Sequence, residues 1–370
     1  MQSPNRITHL DAVRGVAVMG ILIMNAVSFF LGNTAYFDIS SPDNQDALDW
    51  LVAGLGEVFA DQKFMALFSL LFGASIILFC ERAEAKGRAG VRLSLWRNFL
   101  LFVIGLIHGA FWVGDILLIY AMCAPVLLLC RKLPPTLLIL VGSVIYLSPI
   151  VAYDVLLFNV DPSAIRALWE TTFIKNPTED MELAGLGILY EIFARALGMM
   201  FVGMGLYANG TLTNAASCRQ KLRQSLLLIL VGTLLSGSGL LWTASNDFST
   251  VAIVQGNFAN TLGTIPMALG YLGLITWWNQ TTDSALVNRV RAVGKAALSN
   301  YLAQTAICLS LATLLPADWL TRSTVLLMIV SIWWGQLVAS EWWLKRYQFG
   351  PLEYLWRCAT YWQVVTLKRQ

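Results

Sequence analysis

Apolar residues in this chain run in ten long blocks separated by short polar connections, at about 13–31, 52–80, 98–113, 115–131, 135–158, 186–208, 222–243, 251–278, 296–315 and 322–343. Most blocks are about 17–25 residues long, enough for a helix to cross a hydrocarbon core of roughly 30 Å. None shows the strict alternation of a barrel strand. Lipid offers no water to pair backbone amides, so only helices or closed barrels span it. The pattern therefore predicts an all-α, polytopic membrane bundle of about ten helices. The second and eighth blocks exceed an upright span, so each begins outside the hydrocarbon or tilts. After Gly350-Pro351, residues 351–366 read as a further helix with proline at its first position, lying on the membrane surface. There Glu353 and Arg357, four apart, can pair.

Composition agrees. Hydrophobic residues make up 57% of the 370 and charged residues 13%, against about 25% charged in soluble domains. The first block has Arg6 ahead of it and Asp11 and Arg14 at its start, and it is long for a cleaved leader; it is expected to stay as a span.

The basic residues then set the topology. Counting Lys and Arg over alternate connections places 19 on one side, from Arg6 and the 81–97 connection to Lys368 and Arg369. The other side holds three: Arg166, Lys175 and Arg322. The positive-inside rule puts both ends in the cytoplasm and requires an even number of spans. The opposite connections are acidic, with Asp38, Asp43, Asp46 and Asp49 in one. The long 159–185 connection is expected to be a tether, its alternative being a lid. Trp pairs at 277–278, 333–334 and 342–343 fit interfacial belts. No basic run suits nucleic acid; the bilayer is the first partner. Cys80, Cys123, Cys130, Cys218, Cys308 and Cys358 have no CxxC spacing and no histidine pair nearby, so reduced thiols and no metal site are expected. There is no GxxxxGK[ST], HExxH or GxSxG motif to support ATP hydrolysis, zinc proteolysis or serine-hydrolase chemistry.

Ionisable groups at membrane depth are the candidates for function, because hydrocarbon is costly for charge. Asp11 and Arg14 share a helix face: either an interfacial ion pair, or an arginine whose planar fork takes a phosphate. His108-Gly109-Ala110-Phe111-Trp112-Val113-Gly114-Asp115 turns between two blocks, so Asp115 can face His108. This makes either an oriented general base or a structural histidine beside a helix cap. Glu57 and Asp61 lie four apart, with Lys63 close enough to neutralise one; they form a polar rim or an acceptor site, and Gly54, Gly56 and Gly73 leave room for close helix contact. Glu191 and Arg195 form a second pair of that spacing. Asn300 and Gln304, beside Ser299 and Tyr301, suit hydrogen bonding between helices. Neither internal repeats nor broken helices, the signs of a transporter, are visible.

Several of these segments together resemble the bacterial YeiB-like membrane proteins. They are Arg6 with Leu10-Asp11-Ala12-Val13-Arg14-Gly15 and Asn25; Lys63-Phe64 leading to Leu71-Phe72-Gly73-Ala74; His108-Gly109 with Gly114-Asp115-Ile116-Leu117; Ala297 to Gln304; and Gly350 to Arg357. They run in order over nearly the whole chain. That family is similar in its N-terminal half to the transmembrane acyltransferases. The resemblance implies an acyltransferase-like half at 1–210 and a family-specific half at 211–370, in one membrane unit. It also implies transfer from cytoplasmic acyl-CoA to a small-molecule or glycan acceptor on the far side. On that reading Arg14, Arg82, Arg88 and Arg97 hold the CoA phosphates. Glu57, Asp61, Lys63, Glu191, Arg195, Asn300 and Gln304 face the acceptor. Asn25 stands where acyltransferase-three proteins carry a histidine, so proton transfer falls to His108, oriented by Asp115. The other reading is a secondary transporter with Glu57, Asp61, His108 and the Glu191–Arg195 pair along its path. Homo-oligomers fit either.

Overall fold

A computed structural model describes residues 8–42, 45–171, 177–212 and 218–368. Arg6, Asp43, Lys175 and Arg369 lie outside the described residues, as do the side chains of Cys218 and Arg219. The helices are α1 (Thr8–Phe37), α2 (Ala47–Phe59), α3 (Lys63–Glu84), α4 (Gly90–Gly109), α5 (Leu117–Cys130), α6 (Pro135–Asn159), α7 (Pro162–Glu170), α8 (Glu179–Ala208), α9 (Cys218–Ser245), α10 (Thr250–Thr281), α11 (Ala285–Lys295), α12 (Ala297–Leu314), α13 (Arg322–Arg346) and α14 (Pro351–Tyr361). Among the described residues there is no strand, only an isolated bridge between Tyr347 and Lys368.

Among the described residues, nine spans are long and apolar enough to cross a membrane, the α2–α3 segment counting as one. The remaining block is α5, which at 14 residues covers about 21 Å at 1.5 Å per residue. Large apolar side chains face outward along the spans, Leu129 at 85% exposure and Phe158 at 88% among them. Such exposure is costly in water and favourable in lipid. The chain is thus an all-α polytopic bundle.

Two features depart from the sequence reading. The second block is two helices, not one. At Ala60–Gln62 the chain leaves the helix, and Gln62 adopts a left-handed φ of 62°. The Asp61 amide donates to the Gly56 carbonyl at 2.8 Å, which leaves the Glu57 carbonyl without its usual helical partner. The ammonium of Lys63 turns back and donates to it at 3.0 Å. A broken helix therefore does exist here, hidden in sequence by continuous hydropathy. The second departure is the long connection, which is a docked helix. Pro162 opens α7, and Ile165 and Trp169 are buried. Trp169 stacks on Phe37 with ring centres 5.4 Å apart. Arg166 pairs with Asp38 at 2.5 Å. Its apolar face, unmarked by length, is what stops it being a tether.

Close helix crossings set the interior. A Cβ on Gly73 would run into the Met200 carbonyl, and one on Gly203 into the Leu70 carbonyl, so α3 and α8 cross with reciprocal glycines. Gly54 and Gly56 have space around them and serve no such contact. Near the end of the chain, α14 packs against α4 and α12. The Glu353 carboxylate accepts from the amides of Leu298 (2.7 Å) and Ser299 (3.1 Å) and from the Ser299 hydroxyl (2.5 Å). It does not pair with Arg357, whose guanidinium lies over the Phe349 and Tyr361 rings. Exposed amides at the start of α12 are a better partner for a carboxylate than a solvated cation.

Candidate functional site

A cavity of about 1640 Å³ lies at the arginine-rich end of the bundle. Arg14 comes from α1, Arg82 from α3, Arg88 from the α3–α4 connection and Arg97 from α4, and all four line it. Lys86, Arg291, Lys295, Lys345 and Arg357 line it too. Arg14 also contacts Asp11 at 3.6 Å, so the sequence-predicted ion pair is present within the cavity wall. Arg97 lies between aromatic rings, 4.7 Å from the centre of Phe79 and 4.2 Å from that of Trp356. Stacking of this kind suits a guanidinium and holds its plane. Gly15, the last residue of the Leu10–Gly15 segment, has a packing role: a Cβ there would meet the Val290 carbonyl of α11. Thr8 and Val365 line the same cavity, so the first and last described stretches meet at one end of the bundle.

The same cavity has an apolar part to its lining, with Val18, Phe68, Phe72, Leu101, Ile116 and Leu117, and Tyr120 and Tyr301 line it as well. The histidine lies next to Tyr301. His108 Nδ1 is 2.7 Å from Asp115 Oδ1 and Nε2 is 2.9 Å from Thr305 Oγ1. The other Asp115 oxygen accepts from the Leu118 amide at 2.9 Å, at the start of α5. Asp115 is therefore a helix cap and a histidine orienter at once. His108 does not itself line the cavity. The Tyr301 ring, centred 5.3 Å from the imidazole, stands between, and its buried hydroxyl lies beside the Ile116 backbone and the Asp115 side chain without a well-formed hydrogen bond. Tyr301 was visible in the sequence only as a neighbour of Asn300; nothing in its spacing marked it as the divider between histidine and cavity.

A second polar centre surrounds the α2–α3 break. Lys63 is fully buried and also donates to the Asn260 side chain. Asn260 donates to Asp61 at 2.8 Å, and Gln62 to Asn257 at 2.9 Å. Arg195 pairs with Glu191 at 2.6 Å and donates to Thr261 at 2.6 Å. Tyr153 donates to the other Glu191 oxygen, and Tyr36 approaches Asp61 at 3.5 Å. Glu57, Asp61 and Lys63, and the Glu191–Arg195 pair, read from sequence as two separate groups, thus belong to one cluster. Its other members, Asn257 and Asn260 on α10, escaped notice. Three side-chain amides close together in a mostly apolar span, Gln255, Asn257 and Asn260, were the available signal.

Asn300 and Gln304 are elsewhere. Asn300 donates to Ser340 at 3.0 Å, and Gln304 to Gln336 at 3.0 Å and to the Val18 carbonyl, tying α12 to α13 and α1. Cys80, Cys123, Cys130, Cys308 and Cys358 are free thiols. Among the described residues no three His, Cys, Asp or Glu side chains converge as metal ligands.

Residues 206–363 match the family described as Protein of unknown function (DUF418). The chain is 30% identical to the Uncharacterized protein YeiB of Escherichia coli (strain K12), over 95% of each chain. It is 27% identical to the Uncharacterized protein YxaH of Bacillus subtilis (strain 168), over 98% of this chain and 96% of that one. No solved structure matches.

Proposed function

The chain belongs to the YeiB-like family of multi-pass membrane proteins, and from that premise we propose that it is an acyltransferase of the bacterial inner membrane. It takes an acyl group from cytoplasmic acyl-CoA and passes it to a small-molecule or glycan acceptor reached from the far side. One observation carries the reading: four arginines from three helices and a connection line one cavity that Tyr301 also lines, and the Tyr301 ring lies against His108, which Asp115 holds.

The chemistry divides along that path. Guanidinium groups at the mouth suit CoA phosphates, because each can donate two parallel hydrogen bonds. The apolar part of the lining suits the pantetheine arm and the acyl chain. The Tyr301 hydroxyl, beside Asp115 and the Ile116 backbone, would turn to donate to the thioester carbonyl. His108 reaches the cavity only when Tyr301 swings aside and the Thr305 contact opens. Held by Asp115 through Nδ1, it then accepts a proton from the acceptor's amine or hydroxyl. The acceptor's nitrogen or oxygen bonds to the acyl carbon, the carbon–sulfur bond breaks, and the CoA thiolate leaves. The cluster at the α2–α3 break lies toward the acceptor's side in this scheme, with both chain ends in the cytoplasm. The test uses purified protein and radiolabelled acetyl-CoA. Acyl exchange or hydrolysis is expected, and His108→Ala should abolish it; unchanged turnover in that variant refutes the assignment.

The broken α2–α3 helix favours a second reading, a secondary transporter, because unwound helices carry the substrate and ion sites of such proteins. Proton-coupled uptake into proteoliposomes without acyl-CoA would select it.

A further inference from the structure

We propose that Asp115, His108 and Thr305 form a catalytic triad in which the Thr305 hydroxyl is the nucleophile. The proposal rests on the acyl-transfer reading for its donor, and it divides that transfer into two half-reactions. The three side chains are joined in series. His108 Nδ1 lies 2.7 Å from Asp115 Oδ1, and Nε2 lies 2.9 Å from Thr305 Oγ1. All three residues are buried. The Leu118 amide fixes the carboxylate from its other oxygen at 2.9 Å. The carboxylate takes the Nδ1 proton and so holds the neutral imidazole in one tautomer. Nε2 is then an acceptor, and the threonine hydroxyl donates to it. A hydroxyl that donates to the free nitrogen of a carboxylate-held imidazole is an activated nucleophile, whatever the fold and whatever the order along the chain.

The Thr305 hydroxyl is also turned away from its usual partner. A threonine inside a helix commonly donates to the carbonyl four residues before it. Every other buried threonine among the described residues does so: Thr243 to Gly239, Thr261 to Asn257, Thr264 to Asn260, Thr276 to Leu272 and Thr360 to Trp356. Thr305 meets His108 instead of the Tyr301 carbonyl. Position joins this hydroxyl to the cavity. Tyr301, which lines the cavity, is four residues earlier on α12, on the same face and about 6 Å away along the axis. With Tyr301 swung aside, the thioester advances about one helical turn to meet Thr305. Thr305 Oγ1 then bonds to the acyl carbon, and its proton passes to His108 Nε2. The carbon–sulfur bond breaks, and CoA leaves as the thiol with that proton. An acyl ester is left on Thr305. The esterified oxygen has no proton to donate, so Nε2 is free for the acceptor. The acceptor's nitrogen or oxygen gives its proton to Nε2 as it bonds to the acyl carbon, and Thr305 leaves and takes that proton back.

The test uses the whole protein in lipid nanodiscs without acceptor, read by intact mass and peptide mapping. Two probes are applied separately. One is acetyl-CoA. The other is diisopropyl fluorophosphate, a small apolar reagent that reports an activated hydroxyl without any CoA: the oxygen bonds to phosphorus and fluoride leaves. Acetyl-CoA should place a single acetyl group on Thr305 and release an equivalent of CoA. That adduct should survive neutral hydroxylamine, which strips acyl groups from cysteine. Thr305→Ser, which keeps the hydroxyl, should still be modified. Thr305→Val, of the same shape without the hydroxyl, should not, and its acetyl-CoA turnover should fall by at least about 10³-fold. The adduct on the parent protein decides the matter even if Thr305→Val fails to fold. Modification of Thr305 by the fluorophosphate and not by acetyl-CoA upholds the triad and overturns the acyl-CoA reading. The triad itself is overturned if neither probe modifies Thr305, or if folded Thr305→Val turns over acetyl-CoA like the parent.

Discussion

At the scale of single residues, the contrast between Lys63 and Tyr301 is instructive, since both are buried and both lie beside candidate chemistry. Lys63 is tied to the Glu57 carbonyl and Asn260 in a cluster rich in carboxylates. Taking away one partner of a buried charged group strands the others, at about 3–5 kcal/mol. Lys63→Ala should therefore lower the unfolding midpoint sharply. The double variant with Asp61→Asn should recover much of that loss, since the two changes remove opposite charges that share partners. Tyr301 gives the opposite result. Its hydroxyl makes no well-formed hydrogen bond to lose, though Asp115 and the Ile116 backbone lie beside it, so Tyr301→Phe should alter stability by no more than about 1 kcal/mol, read from unfolding in detergent. Acyl-CoA turnover should nevertheless fall in that variant if the hydroxyl meets the thioester. Loss of stability with unchanged turnover would reverse the assignment.

Among whole elements, α14 and the α3–α8 crossing make the clearest cases. Burial pushes the Glu353 carboxyl above its ordinary value of 4.5, while bonds from Ser299 and the Leu298 amide pull it back. A carboxyl raised in the docked state favours docking most when protonated. That contribution is complete below about the ordinary value and fades as pH rises through the docked value. Amide hydrogen exchange in α14 should accordingly quicken over that interval, and Glu353→Gln should flatten the dependence. Faster exchange on acidification would contradict the sign. The crossing is steric. Gly203→Leu places a branched side chain against the Leu70 carbonyl, and overpacking of this kind costs at least about 1–3 kcal/mol. Gly54→Ala, with space around it, should leave the midpoint nearly unchanged.

For the molecule as a whole, the arrangement of ends is the testable property. Thr8 and Val365 both face the basic cavity, whereas Phe111, 71% exposed, lies in the turn after α4 at the other end of that span. In a background without native cysteines, Thr8→Cys and Val365→Cys should be modified by an impermeant reagent from the same side of the membrane, and Phe111→Cys from the opposite side. Labelling of the two ends from opposite sides would contradict the fold. The same geometry explains why charge is segregated. The arginines that set topology also line the cavity, so one set of residues serves insertion and the candidate site.

Hydropathy in the linear chain was enough for the all-helical class and most of the blocks, because each depends on a local transfer free energy that neighbours hardly alter. The His108–Asp115 contact was legible for the same reason: seven residues and two flexible glycines define it. The tertiary structure alone decided the break at Ala60–Gln62, the seating of α7 against Phe37 and the gathering of Glu57, Asp61 and Lys63 with Glu191, Arg195 and two asparagines of α10. Those features depend on which orphaned carbonyls and buried charges find partners across 130 to 200 residues of chain, and no window along the sequence contains both sides of such a contact.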